Sequence, residues 1–258
     1  MSRTYLVTGA ASGIGNATAA HLRALGHTVI GADLKNTDIS ADLTTSEGRK
    51  ELAEGARELT GGRLDAVIAC AGLADFHPRT VQVNYFGVIA TLEGLRPLLA
   101  AGTDPRAVLV SSAAAVHPAD PAIVDAALSG DEHAAVSAAQ AAIDRGEGYA
   151  IYTSSKQAIA RWVRRTAVSD DWAAAGIPLN AVGPGTVITP MTEPMLADPQ
   201  LRQAVDSTIP MPLHGHAAPE QVAPLLAWLT SPENTHVTGQ VIYLDGGADA
   251  TLRGDTTW

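Results

Sequence analysis

The sequence predicts an α/β fold, a doubly wound parallel sheet with helices on both faces, formed as a single domain over residues 1–258. Three observations carry that prediction. Short apolar runs alternate with longer amphipathic stretches, a glycine-rich turn follows the first run, and several runs are apolar without alternation. Strands covered by helices on both faces read in this continuous way. A chain of 258 residues can bury a sizeable core, and folds of this class commonly reach that length as one domain.

Residues 5–8 form the first expected strand, and residues 28–32, 64–70, 107–111, 177–182 and 241–244 the following ones. Helical spacing of apolar residues is expected between them, over 14–25, 46–59, 81–100, 152–175 and 219–229. Two segments break the alternation. Residues 117–148, Ala-rich and acidic, are too long for a simple connection. Apolar spacing at Ile123, Val124, Ala127 and Leu128, then at Val136, Ala139 and Ile143, predicts two short helices there, a helical insert. Residues 189–216 are rich in Pro and Met with weak periodicity, and are expected to form a mobile flap over a substrate.

An apolar fraction of 46 % with 17 % charged residues excludes the polar composition of disordered chains. A net charge of −10 argues against nucleic acid or an anionic membrane as partner, because phosphates are held by clustered Lys and Arg. No uninterrupted apolar run reaches membrane-spanning length, and residues 1–8 lead into a strand without a basic segment and signal-type apolar core. A cytoplasmic protein is expected. The single cysteine, Cys70, forms no internal disulfide and fits a reducing compartment.

The strongest local signal is Thr8-Gly9-Ala10-Ala11-Ser12-Gly13-Ile14-Gly15, a strand-to-helix turn in which three glycines let the backbone approach a pyrophosphate. The free N–H groups and the helix dipole would meet the phosphate charge. Asp33 ends the second expected strand, where its carboxylate can accept hydrogen bonds from the adenosine ribose. That negative charge would repel the 2′-phosphate of NADP, so NAD is the expected cofactor. Lys35 is the residue that could reverse the preference by turning inwards; a solvated surface lysine is the alternative.

With the glycine turn, Tyr152-Thr153-Ser154-Ser155-Lys156 resembles the signature of the short-chain dehydrogenase/reductase family across essentially the whole chain. The resemblance implies a Rossmann-type sheet and assigns further pieces in order. Asp42 and Leu43 would lie beside the adenine, and Cys70-Ala71-Gly72 would follow the third strand. Asn84 falls in the central helix and Ser111-Ser112 at a strand end; Pro184, Gly185, Val187 and Thr189 would face the nicotinamide carboxamide. The family usually has Asn-Ala-Gly where this chain has Cys70-Ala71-Gly72; Cys70 reads as a small buried apolar residue rather than a reactive thiol. The sequence is similar, more narrowly, to the bacterial 3α-hydroxysteroid dehydrogenase/carbonyl reductase subgroup. Its marks are Cys70-Ala71-Gly72-Leu73, Val83-Asn84-Tyr85-Phe86-Gly87, the long insert and Asp245-Gly246-Gly247-Ala248-Asp249-Ala250.

The chemistry so implied moves a hydride between a nicotinamide ring and a secondary alcohol or ketone, with Tyr152 as general base or acid. Lys156, four residues along one helix, would lower the tyrosine pKa and hold the nicotinamide ribose. Ser112 would bind the substrate oxygen, with Ser111 as the alternative serine, and Asn84 would position a water that relays protons from Lys156. No metal is expected, since His214 and His216 lack a third ligand nearby. Three functions stay open: a 3α-hydroxysteroid dehydrogenase/carbonyl reductase, an NAD-dependent aryl, coniferyl or terpenoid alcohol dehydrogenase, and a non-catalytic dinucleotide sensor. The expected partners are a small apolar alcohol or ketone and a second copy of the chain. The insert would cover the helices that usually build tetramers, leaving a homodimer through residues 219–244 and a homotetramer as the runner-up.

Overall fold

The structure, a computed structural model, describes residues 2–255; residues 1 and 256–258, at the two ends of the expected domain, lie outside the described residues. Among the described residues seven parallel strands pair into one sheet: β1 (Thr4–Thr8), β2 (Thr28–Asp33), β3 (Ile39–Ser40), β4 (Ala66–Ala69), β5 (Arg106–Val110), β6 (Leu179–Pro184) and β7 (Val241–Leu244). Their order is β3-β2-β1-β4-β5-β6-β7, so the winding reverses between β1 and β4. That reversal opens a crevice at the carboxyl ends of the two strands.

Side chains alternate across each strand, and both sides are apolar. Leu6, Val67, Ala69, Ala107 and Leu109 enter one core, which the helices α2 (Ser46–Thr60), α4 (Val88–Ala100) and α7 (Ala150–Thr166) cover with Leu52, Leu92, Leu95 and Ile159. Tyr5, Val7, Ala66, Ile68, Val108 and Val110 enter the other, closed by α1 (Gly13–Ala24) and α10 (Pro219–Leu229) through Leu22, Val222 and Leu226. Two apolar faces explain why these runs show no alternation in sequence.

The insert contains α5 (Pro121–Ser129) and α6 (Glu132–Asp144), whose Ile123, Val124, Ala127, Ala135 and Ala139 join the first core beside Ile151 and Ala158 of α7. Asp120 and Asp131 cap the two helices by accepting from the N–H groups of Ala122 and Ala134.

The elements depart most from the expected boundaries in four places. The stretch expected over 81–100 starts earlier, at α3 (Arg79–Val81), and passes through a π-helical segment, Gln82–Gly87, before α4. The helix expected over 152–175 ends at Thr166; Ser169 is extended, and a separate π-turn, Asp170–Ala174, buries Trp172. Residues 189–216 hold two helices, α8 (Glu193–Ala197) and α9 (Pro199–Thr208), where no regular structure was read. Asp198 starts α9, its Oδ1 accepting from the N–H groups of Gln200 and Leu201, with Pro199 preset for the first turn. The two-residue β3 and the terminal α11 (Ala248–Arg253) are too short to show a period.

Candidate active site

One cavity of about 710 Å³ runs across the carboxyl ends of the strands. At its first end the turn after β1 leads into α1. Gly13 has φ +53°, which favours glycine, and a Cβ on Gly15 would lie 2.2 Å from the Gly9 carbonyl oxygen. Ser12 stands before α1 in extended conformation with no side-chain cap, so the first amides of the helix face outward uncapped. Asp33 closes this end. Its Oδ2 accepts from the Ala11 N–H at 3.0 Å and its Oδ1 from the Leu34 N–H at 2.7 Å, so the carboxylate braces the turn while lining the cavity. Lys35 is exposed and does not line it.

Asp42, Leu43, Cys70, Ala71 and Gly72 line the middle. The Asp42 Oδ1 is engaged by Thr44, through its N–H at 2.9 Å and its hydroxyl at 2.7 Å. Burial pushes the Cys70 thiol up to about 12, against a weaker downward pull from the Lys156 charge, so the thiolate is scarce at neutral pH.

At the other end Ser112, Tyr152 and Lys156 meet, with Pro184, Gly185, Val187 and Thr189 on the facing wall. Lys156 is 4 % exposed; its Nζ donates to the Val110 carbonyl at 2.9 Å and lies 5.8 Å from the centre of the Tyr152 ring. Burial lowers this lysine to about 8. The Tyr152 hydroxyl is raised by burial, with the Ser112 hydroxyl pulling the other way. This departs from the lowering expected from sequence, because the ammonium is directed at the Val110 carbonyl and desolvation dominates. The two serines separate cleanly. Ser111 donates to the Lys156 main-chain carbonyl at 3.1 Å, tying β5 to α7, whereas Ser112 sits by the tyrosine.

Of the residues expected to touch cofactor or substrate, Asn84 alone does not line the cavity. It is fully buried in the π-helical segment: its Nδ2 donates to the Leu73 carbonyl at 2.9 Å and to Ser155 Oγ at 3.0 Å, and its Oδ1 accepts from the Leu73 N–H at 2.8 Å. Both amide protons are therefore taken. A Cβ placed on Gly72 would lie 3.2 Å from Asn84 Oδ1 and 3.5 Å from Lys156 Nζ, so the absence of a side chain there keeps a gap between the two groups. Arg79, Gln82, Leu52 and Thr192 also line the cavity and were not read from the sequence. Arg79 lies before the expected helix and Gln82 is a polar residue within it, and neither stands in a spacing that marks a cavity wall. Of the two histidines at positions 214 and 216, His216 pairs with a carboxylate, its Nε2 lying 2.6 Å from Asp206 Oδ1.

Residues 3–127 match the profile of the family described as short chain dehydrogenase, and residues 127–249 that described as Enoyl-(Acyl carrier protein) reductase. Over 255 residues the chain is 35 % identical to the 3-alpha-hydroxysteroid dehydrogenase/carbonyl reductase of Comamonas testosteroni, covering 96 % of this chain and 97 % of that protein. The chain belongs to the short-chain dehydrogenase/reductase family. As a member of that family it is an oxidoreductase. Its fold matches the crystal structure of the 3-alpha-hydroxysteroid dehydrogenase from Pseudomonas sp. B-0831 complexed with NADH, at a TM-score of 0.90 and 39 % identity, over 98 % of this chain and 99 % of that one. A third member, the 2-(R)-hydroxypropyl-CoM dehydrogenase of Xanthobacter autotrophicus, is 31 % identical over 97 % of this chain and 100 % of that protein. Relatives with such different substrates share the family's scaffold, so the scaffold carries the chemistry and the pocket walls carry the choice of substrate.

Proposed function

We propose that the protein interconverts a secondary alcohol and a ketone with NAD, in the manner of a 3α-hydroxysteroid dehydrogenase/carbonyl reductase acting on a small apolar substrate. One observation carries the reading: a single cavity joins the glycine turn and Asp33 at one end to Ser112, Tyr152 and Lys156 at the other. The first end fits a dinucleotide, since Gly15, where a Cβ would clash with the Gly9 carbonyl oxygen, lets the turn close tightly on the start of α1, and that start is uncapped. Gly9, Ser12, Gly13, Ile14 and Gly15 would hold the pyrophosphate, Asp33 the adenosine ribose, and Asp42 with Leu43 the adenine. Cys70, Ala71, Gly72, Tyr152, Lys156, Pro184, Gly185, Val187 and Thr189 would line the nicotinamide half. The cofactor, when bound, supplies the site that accepts or returns hydride.

The chain does the rest. Ser112 donates to the substrate oxygen and orients it, and Tyr152 takes the hydroxyl proton during oxidation or returns it during reduction. Lys156 opposes a negative tyrosine oxygen with its charge. The second lone pair of Asn84 Oδ1 and the gap beside Gly72 would admit a water between that oxygen and Lys156, and such a water would carry the proton onward. The similarity to the Comamonas testosteroni and Pseudomonas proteins supports a 3α-hydroxysteroid and NAD as the particular substrate and cofactor. The free Cys70 fits a reducing, cytoplasmic compartment, and the proposed assembly is a homodimer.

The test is loss or gain of NADH absorbance with a panel of 3α-hydroxysteroids, aryl alcohols, terpenoid alcohols and small ketones. Turnover of steroids above the others supports the reading; preference for an aryl or terpenoid alcohol replaces the substrate class, and no turnover leaves a dinucleotide sensor. Tyr152→Phe should remove at least about 99 % of turnover, the share ordinarily carried by a positioned base, with NADH affinity nearly unchanged.

A further inference from the structure

The insert helix α6 is wired to the loop that would receive the adenine. Glu132, the first residue of α6, accepts a bidentate pair of hydrogen bonds from Arg49 of α2, at 2.6 and 2.8 Å. The same guanidinium donates through Nε to the Leu43 carbonyl at 2.8 Å and through Nη2 to the Gln82 carbonyl at 3.2 Å. Gln82 closes the circuit, its Nε2 donating to the Thr44 carbonyl and to Glu132 Oε1. Leu43, Thr44 and Gln82 all line the cavity, whereas Arg49 and Glu132 do not. Six donations thus tie three separate chain segments together, and every one ends on a cavity-lining residue or on the carboxylate that aims the arginine.

We propose that Glu132 and Arg49 are positioning residues for the cofactor: by fixing the Leu43 and Gln82 carbonyls they preset the adenine-side wall, and so couple the helical insert to dinucleotide affinity. The physical reason lies in the fork geometry of the guanidinium. A bidentate carboxylate fixes the plane of the Arg49 head, and only then do Nε and the second Nη proton point at two carbonyls on different segments. The Arg49 side chain is 11 % exposed and that of Glu132 31 % exposed, so the pair is shielded enough to hold its geometry yet open enough for Glu132 to be replaced without emptying the core. Burial raises the Glu132 carboxyl, but hydrogen bonds from Arg49 and Gln82 and the Arg49 charge outweigh it and leave the group below its usual value. The carboxylate is charged throughout the neutral range.

The inference rests on the reading that this cavity takes a dinucleotide, and the experiment separates the two. Glu132→Gln and Glu132→Ala are compared with the unaltered enzyme for binding of ADP-ribose and NADH, for ketone KM, and for kcat at saturating NADH. Even an exposed ion pair contributes up to about fivefold in an equilibrium constant, and this partly shielded one no less, so both variants should raise the Kd of ADP-ribose and NADH by about fivefold. The kcat and ketone KM should stay within about twofold, since neither residue approaches the reacting end. Reciprocity adds a second readout: NADH should slow amide exchange in Glu132–Asp144 of the unaltered enzyme and lose that effect in Glu132→Gln. An unchanged ADP-ribose Kd in both variants overturns the proposal. So does an equal loss of ADP-ribose affinity and ketone KM together with a lowered melting temperature, which would mark general loosening. If the unaltered protein binds neither ADP-ribose nor NADH, the dinucleotide reading falls and this proposal with it.

Discussion

At the scale of single residues the site sets two pKa values against each other. Tyr152 must carry its proton to reduce a ketone, and Lys156 must carry its charge to support the tyrosine. Burial raises the first and lowers the second to about 8, so over the physiological range the tyrosine is protonated, while the lysine is already losing its charge and is half neutral near pH 8. The sign follows directly: kcat/KM for ketone reduction should be level only well below the lysine value, be halved near pH 8 and fall further above it. A profile that stays level to pH 9.5 would show that Lys156 is not the titrating group. Asp33 governs the cofactor. Asp33→Ala removes the acceptor proposed for the ribose and the repulsion of a 2′-phosphate, and it frees the Ala11 N–H. NADH affinity should fall by about tenfold, in line with the loss of one charged hydrogen bond, while NADPH gains. An unaltered enzyme that already prefers NADPH would reverse this reading and bring Lys35 forward. Much of the site was legible because its chemistry depends on fixed spacing: glycines at a turn, and Tyr152 and Lys156 four apart on one helix face. What was not legible depends on bonds that no spacing encodes. Nothing in the sequence shows that Ser111 is spent on the Lys156 carbonyl, or that Arg49 and Glu132, 83 positions apart, form a pair.

Elements with a long period were readable, and those fixed by tertiary context were not. β1, β2 and α10 lie within a residue of expectation because each presents an uninterrupted apolar face to a core. The π-helical segment around Asn84 inserts one extra residue per turn while keeping helix-like composition, so the pattern passes through it unbroken. Residues 189–216 show the opposite case. α8 and α9 bury no residue fully, and Met191, Leu201 and Leu213 stay 43 %, 50 % and 62 % exposed. Their anchors are polar: the His117 ring donates to the Thr208 carbonyl at 2.9 Å, and His216 pairs with Asp206. Met211 is the exception, its sulfur accepting from the Thr186 N–H at 3.1 Å beside Gly185. An element held by surface hydrogen bonds and few buried apolar contacts opens at low free energy. Since Thr189, Pro190, Met191 and Thr192 line the cavity, closing this segment on an apolar substrate would bury its methionines and exclude water from Tyr152. Amide exchange over 193–208 should be fast in the free enzyme and slow with NAD and an apolar ligand; equal protection in both states would mean that there is no lid.

At the scale of the whole molecule two surfaces bear on assembly, one at the insert, where Tyr149 and Val168 on either side of α7 stay exposed, and one at the edge of the sheet. On one side the insert lies over α7, with Asp120 donating its N–H to Ser154 Oγ at 2.9 Å and Ile123, Val124 and Ala127 buried beside Ile151. A helix face already packed within its own chain is no longer available to another copy. On the other side β7 is the edge of the sheet, and all four of its apolar residues, Val241, Ile242, Tyr243 and Leu244, stay half-buried. Trp228 of α10 and Leu252 of α11 remain exposed on elements at the carboxyl-terminal end of the chain. Half-buried apolar residues on an edge strand are an association surface unless something covers them, and a second copy of the same edge meets the self-complementarity that twofold symmetry demands. The expected assembly is therefore a dimer through α10 and β7. Light scattering at working concentration should give a mass of two subunits, and Trp228→Asp, a charge set in the middle of the proposed interface, should shift it to one without lowering α-helix content. A mass near four subunits would mean that the insert leaves the second family interface usable. A dimer indifferent to Trp228→Asp would move the contact away from α10.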